Sequence, residues 1–233
     1  MTAKPRLVVS TGAGISAESG ISTFRDAGGL WENYPVMDVA SADGFARNPE
    51  LVHRFYNERR RDLAKVRPNA AHDILRRLEE HFDVHVITQN VDDLHERAGS
   101  SKVLHLHGEL MKVRALDNPS LLFPVDYDTG TDPDTRMDGH AVRPHIVFFQ
   151  EAVPMFEPAT EIVAQADVFV IIGTSLVVYP AAALLQYVRP GTPVYYIDPN
   201  PGQVPAGVHI IRQPATKGMA ILENILREEF RGQ

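Results

Sequence analysis

The sequence predicts an α/β protein: a doubly wound, Rossmann-like parallel sheet with a small inserted lid domain. Three observations carry this. Short Val/Ile-rich runs alternate with helical patterns, as a sheet covered by helices requires. The runs are continuously apolar rather than alternating, which marks strands buried on both faces. The first run, Leu7-Val8-Val9, feeds directly into Thr11-Gly12-Ala13-Gly14-Ile15-Ser16-Ala17, a glycine-rich turn opening a helix.

In chain order, strands are expected over 7–10, 83–88, 103–106, 168–172, 194–197 and 208–211. Helices are expected over 16–20, 49–65, 70–81, 91–98, 159–166, 181–188 and 217–230. Two stretches break the rhythm and read as insertions, about 26–68 and 112–150. The Rossmann-like part is then about 1–25, 69–111 and 151–233, all within one domain of 233 residues. Within 112–150 only Pro144-His145-Ile146-Val147-Phe148-Phe149 reads as a strand. A cleft between such a module and the sheet is a normal place for substrate.

Composition narrows the function classes. Hydrophobic content of 44% and charged content of 23% suit a soluble globular chain, and no apolar run has membrane-spanning length. The expected location is cytoplasmic. Net charge of −7 argues against nucleic acid, and Arg59-Arg60-Arg61 on a helix point in different directions. Zero cysteines exclude disulfides, a cysteine nucleophile and thiolate metal sites. Nothing indicates a coiled coil, and a monomer is expected.

The strand–turn–helix at Gly12 suits a pyrophosphate. Gly12 permits the tight turn, Gly14 offers no Cβ against the ligand, and Ala17 sits where a small residue lets helix and strand pack. The helix N-terminus adds unpaired N–H groups. A dehydrogenase would next place a second strand ending in an acidic ribose ligand, about 20 residues on. Here Phe24-Arg25-Asp26-Ala27-Gly28-Gly29-Leu30-Trp31-Glu32 is a glycine-broken loop. A dinucleotide is expected, but not hydride transfer.

Further polar turns end other strands. Thr88-Gln89-Asn90-Val91-Asp92 offers amides and a carboxylate; Asn90 and Asp92 also suit plain helix capping. In Val103-Leu104-His105-Leu106-His107-Gly108, alternation puts both histidines on one face, where a zinc pair is conceivable. His107, nearer the sheet edge, reads as a general base, and His105 as a structural histidine. Gly173-Thr174-Ser175 suits phosphate or ribose oxygens. Tyr196-Ile197-Asp198-Pro199-Asn200 ends another strand. There is no Gly-x-Ser-x-Gly elbow and no Gly-Lys-Ser/Thr loop.

These motifs, in this order from Gly12 to about Ala215, resemble the sirtuin family of NAD-dependent protein lysine deacylases. The resemblance implies NAD as cofactor and acyl-lysine proteins as substrates. It assigns Gly12, Ala13, Gly14, Ser16, Phe24 and Arg25 to NAD. Gln89, Asn90 and Asp92 would hold its nicotinamide and ribose end. Gly173, Thr174 and Ser175 would support phosphate and ribose, with Asn200 and Ala215 near adenosine. His107 would be the catalytic base, assisted by Asn90. The products implied are free lysine, nicotinamide and acyl-ADP-ribose.

The 49–65 helix carries an apolar stripe of Val52, Phe55, Tyr56, Leu63 and Val66, with Arg59 inside it. A guanidinium there needs an anionic partner, or else snorkels. By resemblance, Tyr56 and Arg59 match the pair by which a sirtuin subgroup removes succinyl and malonyl groups, and Ala40 matches the small residue that widens its acyl pocket.

One departure stands out. Most sirtuins hold a structural zinc with four cysteines after the His-Gly motif, and this chain has none, so no zinc is expected. The corresponding stretch is acidic (Asp117, Asp126, Asp128, Asp132, Asp134, Asp138) and misses the EF-hand pattern. Apolar packing of Leu121-Leu122-Phe123-Pro124 onto residues 146–149 is expected to replace the clamp. Rival functions are NAD hydrolysis or ADP-ribosyl transfer through the same pocket, and a non-enzymatic NAD or ADP-ribose sensor. The Tyr56/Arg59 pair weighs against the first two, and His107 against the third.

Overall fold

A computed structural model describes residues 4–22, 30–31, 34–176 and 181–230. In chain order the elements are β1 (Arg6–Thr11), α1 (Ala13–Ala17), β2 (Leu30–Trp31), β3 (Tyr34–Pro35), α2 (Val36–Val39), α3 (Ala42–Arg47), α4 (Pro49–Leu63), α5 (Ala70–Leu78), β4 (Asp83–Thr88), α6 (Leu94–Ala98), β5 (Val103–His105), β6 (Gly108–Ala115), β7 (Leu122–Pro124), β8 (Arg136–Met137), β9 (His140–Ile146), α7 (Phe156–Val163), β10 (Val168–Ile172), a 3₁₀ turn (Ala181–Tyr187), β11 (Val194–Ile197), β12 (Val208–Ile211) and α8 (Ala215–Glu229).

Six strands form a sheet in the order β12-β11-β10-β1-β4-β5, and every pairing is parallel. Counting only these strands along the chain, this is the 3-2-1-4-5-6 order of dinucleotide-binding folds. The order reverses between β1 and β10, whose register runs from Leu7↔Val168 to Thr11↔Ile172. The crevice outside the carboxyl ends therefore opens at Gly12 and Gly173.

The two faces of the sheet carry separate cores. Leu7, Val9, Val170 and Ile172 pack with Ile15, Leu75, Met219 and Leu222 on one face. Val8, Phe169, Ile171 and Tyr196 pack with Ala159, Val163 and Leu184 on the other. Strands buried on both faces produce the unbroken apolar runs of the sequence.

Six of the expected strands form, with ends shifted by a residue at most. The first helix starts three residues early, at Ala13, and the fourth is shortened to Leu94–Ala98. Asp92 accounts for the latter: its Oδ1 accepts from Leu94 N at 3.1 Å, so the chain turns before the helix begins. The loop read as strandless holds β2, a two-residue strand paired antiparallel to β3 outside the main sheet.

The larger correction lies in 112–150. That stretch contributes most of a four-stranded antiparallel sheet, β7-β6-β9-β8. Val113, Val125 and Val142 form its small core, with Phe123 and Met137 against them. Among the described residues Phe123 packs with Val113, Val125 and Val142, while Ile146 and Phe148 belong to the cluster on α4. Leu122, Phe123 and Pro124 pair instead with Arg114, Val113 and Lys112.

Apolar packing fastens this module to α4, with Val52, Phe55 and Tyr56 against Leu110, Ile146 and Phe148, and a buried polar cluster adds to it. Arg60 of α4 is completely buried. Its Nε donates to Leu110 O at 2.9 Å, and its Nη1 to Thr129 O at 2.7 Å and Asn57 Oδ1 at 3.1 Å. Asn57 Nδ2 donates to Thr131 O at 2.7 Å, and His53 Nδ1 meets Thr131 Oγ1 at 2.9 Å. Three side chains on one face of α4 thus hold the 129–131 loop.

Candidate active site

At the reversal point the turns after β1 and β10 interlock. Gly12 N donates to Ile172 O and Gly14 N to Gly173 O. A Cβ on Gly14 would lie 2.5 Å from Gly173 Cα, and one on Gly12 would lie 2.8 Å from Gly173 O. Both glycines are required by the facing turn. Gly12 is extended (φ −117°), so close approach rather than an unusual backbone angle selects glycine there. Gly173 itself has φ +61°.

A cavity of about 390 Å³ lies beside this crevice. One end is polar, with Ala13, Ser16, Gln89, Asn90, Asp92 and His107; the other is built from Ala40, Tyr56, Arg59, Leu63, Ile146 and Phe148. Asn90 Nδ2 donates to Gly12 O at 3.2 Å and Ser16 Oγ at 3.1 Å. Ser16 Oγ donates to Asp92 Oδ2 at 2.9 Å. Burial pushes the Asp92 carboxyl up to about 6, against the hydrogen bonds from Leu94 and Ser16 that lower it. Asp92 is therefore both a turn cap and part of the cavity wall. Gln89 Nε2 reaches Thr174 Oγ1 at 3.3 Å, joining the cavity to the β10 turn.

The two histidines take different parts. β5 ends at His105, so alternation does not extend to His107. His105 is buried, with Nδ1 on Asn90 O at 2.9 Å and Nε2 on Glu96 Oε1 at 2.8 Å. Burial lowers its pKa, but the Glu96 carboxylate outweighs that and the net shift is upward. It is a structural histidine. His107 Nδ1 lies 3.0 Å from Gln89 O. A carbonyl only accepts, so Nδ1 carries the proton and Nε2 keeps a lone pair. His107 lines the cavity, and burial holds its pKa below the ordinary 6.5. A neutral imidazole with Nε2 unprotonated is the form a general base requires.

Farther from the cavity, Ala17 is half-buried and Asn200 is exposed, its N–H donating to Asp198 Oδ1 at 2.8 Å. Ala215 is buried at the start of α8, in the core that contains Ile15 and Ile197. Phe24 and Arg25 lie outside the described residues.

At the apolar end Tyr56 is fully buried, and burial pushes its phenol far above its usual range, so it stays a neutral hydroxyl. Arg59 is 16% exposed. Its guanidinium sits 4.9 Å over the Phe55 ring, and Nη2 contacts Asp62 Oδ2 at 3.3 Å. Its Nη1 is buried and has no hydrogen-bond partner among the described residues.

Sequence reading missed the frame around this end. Arg143 stacks 3.9 Å from the Phe148 ring and donates to Glu151 at 2.7 Å, while Glu151 accepts from Phe148 N at 2.8 Å. Gln150 adopts φ +77°, and its amide bonds Asp43 in both directions: Asp43 N donates to Oε1 at 3.1 Å, and Nε2 donates to Asp43 Oδ2 at 2.7 Å. Positive φ leaves no mark on a glutamine in sequence. The Arg60 face of α4, in contrast, was available as a polar 53-57-60 spacing.

Among the described residues no cluster of three or more His, Cys, Asp or Glu side chains could hold a metal ion. The residues do fit a dinucleotide. The crevice lies at the strand-order reversal, small residues close the turns, and amide, hydroxyl and imidazole groups converge beside it.

Comparison with known proteins agrees. The model of the Sir2 family matches residues 12–180. A Bacteroides thetaiotaomicron protein named NAD-dependent protein deacylase is 54% identical over 228 residues, covering 94% of this chain and 97% of the relative. A Helicobacter pylori protein of the same name is 51% identical over 215 residues, covering 91% and 93%. A solved Sir2 homologue in complex with NAD is 38% identical, with a TM-score of 0.85 over 97% of this chain and 91% of that one. A Sir2 homologue mutant with ADP-ribose gives 37% identity and a TM-score of 0.87 over 99% and 95%. The chain belongs to the Sir2 family.

Proposed function

We propose that this Sir2-family NAD-dependent deacylase removes acidic acyl groups, succinyl or malonyl, as well as acetyl, from protein lysines. The observation that carries the reading is Arg59. Its Nη1 is buried without a partner among the described residues, in the wall of the same cavity that His107 lines. A buried donor on a charged group costs stability unless something accepts from it, and an acyl carboxylate would. Tyr56 adds a neutral hydroxyl, and Ala40 leaves room beside it.

When bound, NAD supplies a ribose carbon activated by its nicotinamide leaving group. Under this reading the residues divide the remaining work. Gln89, Asn90, Asp92 and Ser16 hold the nicotinamide–ribose end. Gly12, Ala13, Gly14, Ala17, Gly173, Thr174 and Ser175 face the phosphates, with Asn200 and Ala215 toward the adenosine and Phe24 and Arg25 assigned from their motif. His107 Nε2 takes a proton from a ribose hydroxyl, while Gln89 O fixes the ring through Nδ1. The apolar walls Leu110, Ile146 and Phe148 exclude water and hold the acyl-lysine carbonyl, a weak nucleophile, in line.

The division into a Rossmann-like part (about 1–25, 69–111, 151–233) and lid insertions (about 26–68, 112–150) is part of the same proposal. So are action as a cytoplasmic monomer and the absence of nucleic-acid or membrane partners; among the described residues no helix is long and apolar enough to cross a membrane. The test is Arg59→Met assayed on matched succinyl- and acetyl-lysine peptides. A hydrogen bond to a charged group is worth about 1.5–3 kcal/mol, so kcat/KM for succinyl should fall about ten- to hundredfold, with acetyl within about threefold. Equal losses on both peptides would refute the assignment.

A further inference from the structure

Arg59 does not meet its ligand as a bare cation. One edge of its guanidinium, Nη2, already faces a carboxylate, Asp62 Oδ2 at 3.3 Å, one turn along α4. Asp62 also lines the cavity. Its second oxygen is held by Lys65 Nζ at 2.7 Å, and both cations hold its carboxyl below the usual range, with the Lys65 hydrogen bond the larger cause. The Phe55 ring closes the guanidinium's face. The remaining donor edge is Nη1, buried and without a partner among the described residues.

We infer that Asp62 is a specificity-determining residue, which restrains the preference for acidic acyl groups by sharing the Arg59 guanidinium with the substrate's carboxylate. The inference rests on the acyl-carboxylate reading above. Two opposed effects follow from the contact. As a partner, Asp62 steadies Arg59, but a single 3.3 Å contact from a side chain that is 54% exposed is a weak tether. As a like charge, it repels a second carboxylate arriving on the same guanidinium. The Arg59 end of that path is only 16% exposed, so the repulsion is screened less than between two surface charges. The repulsion therefore dominates, and a neutral acyl group does not feel it.

The same position explains why Asp62 leaves Arg59 functional rather than quenched. Lys65, itself 73% exposed, holds the other Asp62 oxygen at 2.7 Å, on a carboxylate that is 54% exposed. Arg59 is left with a donor edge, Nη1, that no group among the described residues uses. The device allows an acidic acyl group to bind while limiting how tightly it does so.

The experiment uses the full chain with saturating NAD and one peptide sequence carrying succinyl-lysine or acetyl-lysine. Wild type, Asp62→Asn, Arg59→Met and the double variant are compared. The ratio of kcat/KM for succinyl over acetyl should rise about three- to tenfold in Asp62→Asn, mainly through a lower succinyl KM, and should not rise when Asp62→Asn is added to Arg59→Met. An unchanged or lower ratio in Asp62→Asn overturns the inference. A rise that persists in the Arg59→Met background also overturns it, since the charge would then act without the guanidinium. If Arg59→Met loses both activities equally, it is the acyl-carboxylate reading that fails. Asp62 is half-exposed near the end of α4, and melting temperatures within a degree or two of wild type separate these results from misfolding.

Discussion

Replacing Arg60 with methionine should loosen the small sheet from α4. The side chain is completely buried and makes no ion pair among the described residues. Burial lowers its pKa to about 10, which leaves it protonated at neutral pH. Methionine fills a similar volume but donates nothing, so Leu110 O and Thr129 O lose their contacts. Asn57 Oδ1 keeps Thr131 N at 3.1 Å. Two stranded carbonyls cost about 1–3 kcal/mol each. Relief from burying an unpaired cation offsets part of this, leaving a net loss of about 2–4 kcal/mol. For a chain of this size that is a fall in melting temperature of about 4–16 °C. Differential scanning calorimetry measures it, with the exposed Arg61→Met as control. Hydrogen exchange should also quicken at Thr129 and Thr131. A melting temperature within a degree of wild type, with exchange unchanged in that loop, would refute the view that Arg60 fastens the module.

Other outcomes follow from the site. The pH profile of kcat/KM should carry an acid limb from His107, active when neutral: activity rises with pH through a midpoint below 6.5, since burial lowers the pKa. A midpoint above about 7 would mean that some other group limits the rate. Gly14→Ala drives a Cβ to 2.5 Å from Gly173 Cα. Backbone must move on one side or the other, so stability should drop by about 1–3 kcal/mol and NAD affinity with it. Calorimetric titration with NAD would reveal the loss, and wild-type affinity would argue against the interlocked turns as part of the binding site.

Much of this was legible in the chain. Buried parallel strands write themselves as short Val/Ile runs, because both faces must be apolar; the 168–172 and 194–197 strands carry that signature in full, and the partly exposed 83–88 and edge 208–211 strands also form as read. The carboxyl-edge turns were legible for a related reason: Gln89, Asn90 and Gly173 interrupt those runs abruptly. The antiparallel sheet of residues 108–146 was not. Its strands are half-exposed and interspersed with Arg, Lys and Pro, so neither alternation nor continuity is clean. Its pairing is set by β6, which begins inside the His107-Gly108 motif. Arg60 was missed because the neighbouring apolar stripe drew the reading to Tyr56 and Arg59. A buried arginine held through Nε and Nη1 by carbonyl oxygens leaves no charged partner in the sequence to find. Gln150 and Asp43 lie 107 residues apart, and only the fold brings them together.

On the proposed reading, one cavity joins an NAD crevice, a neutral His107 and an acyl pocket with a cationic end. The most direct measurement is mass spectrometry of the full chain incubated with NAD and a succinyl-lysine peptide. Free-lysine peptide, nicotinamide and succinyl-ADP-ribose are expected in equal amounts, with turnover lost in His107→Ala. Loss of NAD with the peptide left intact, or no reaction of either, would contradict it.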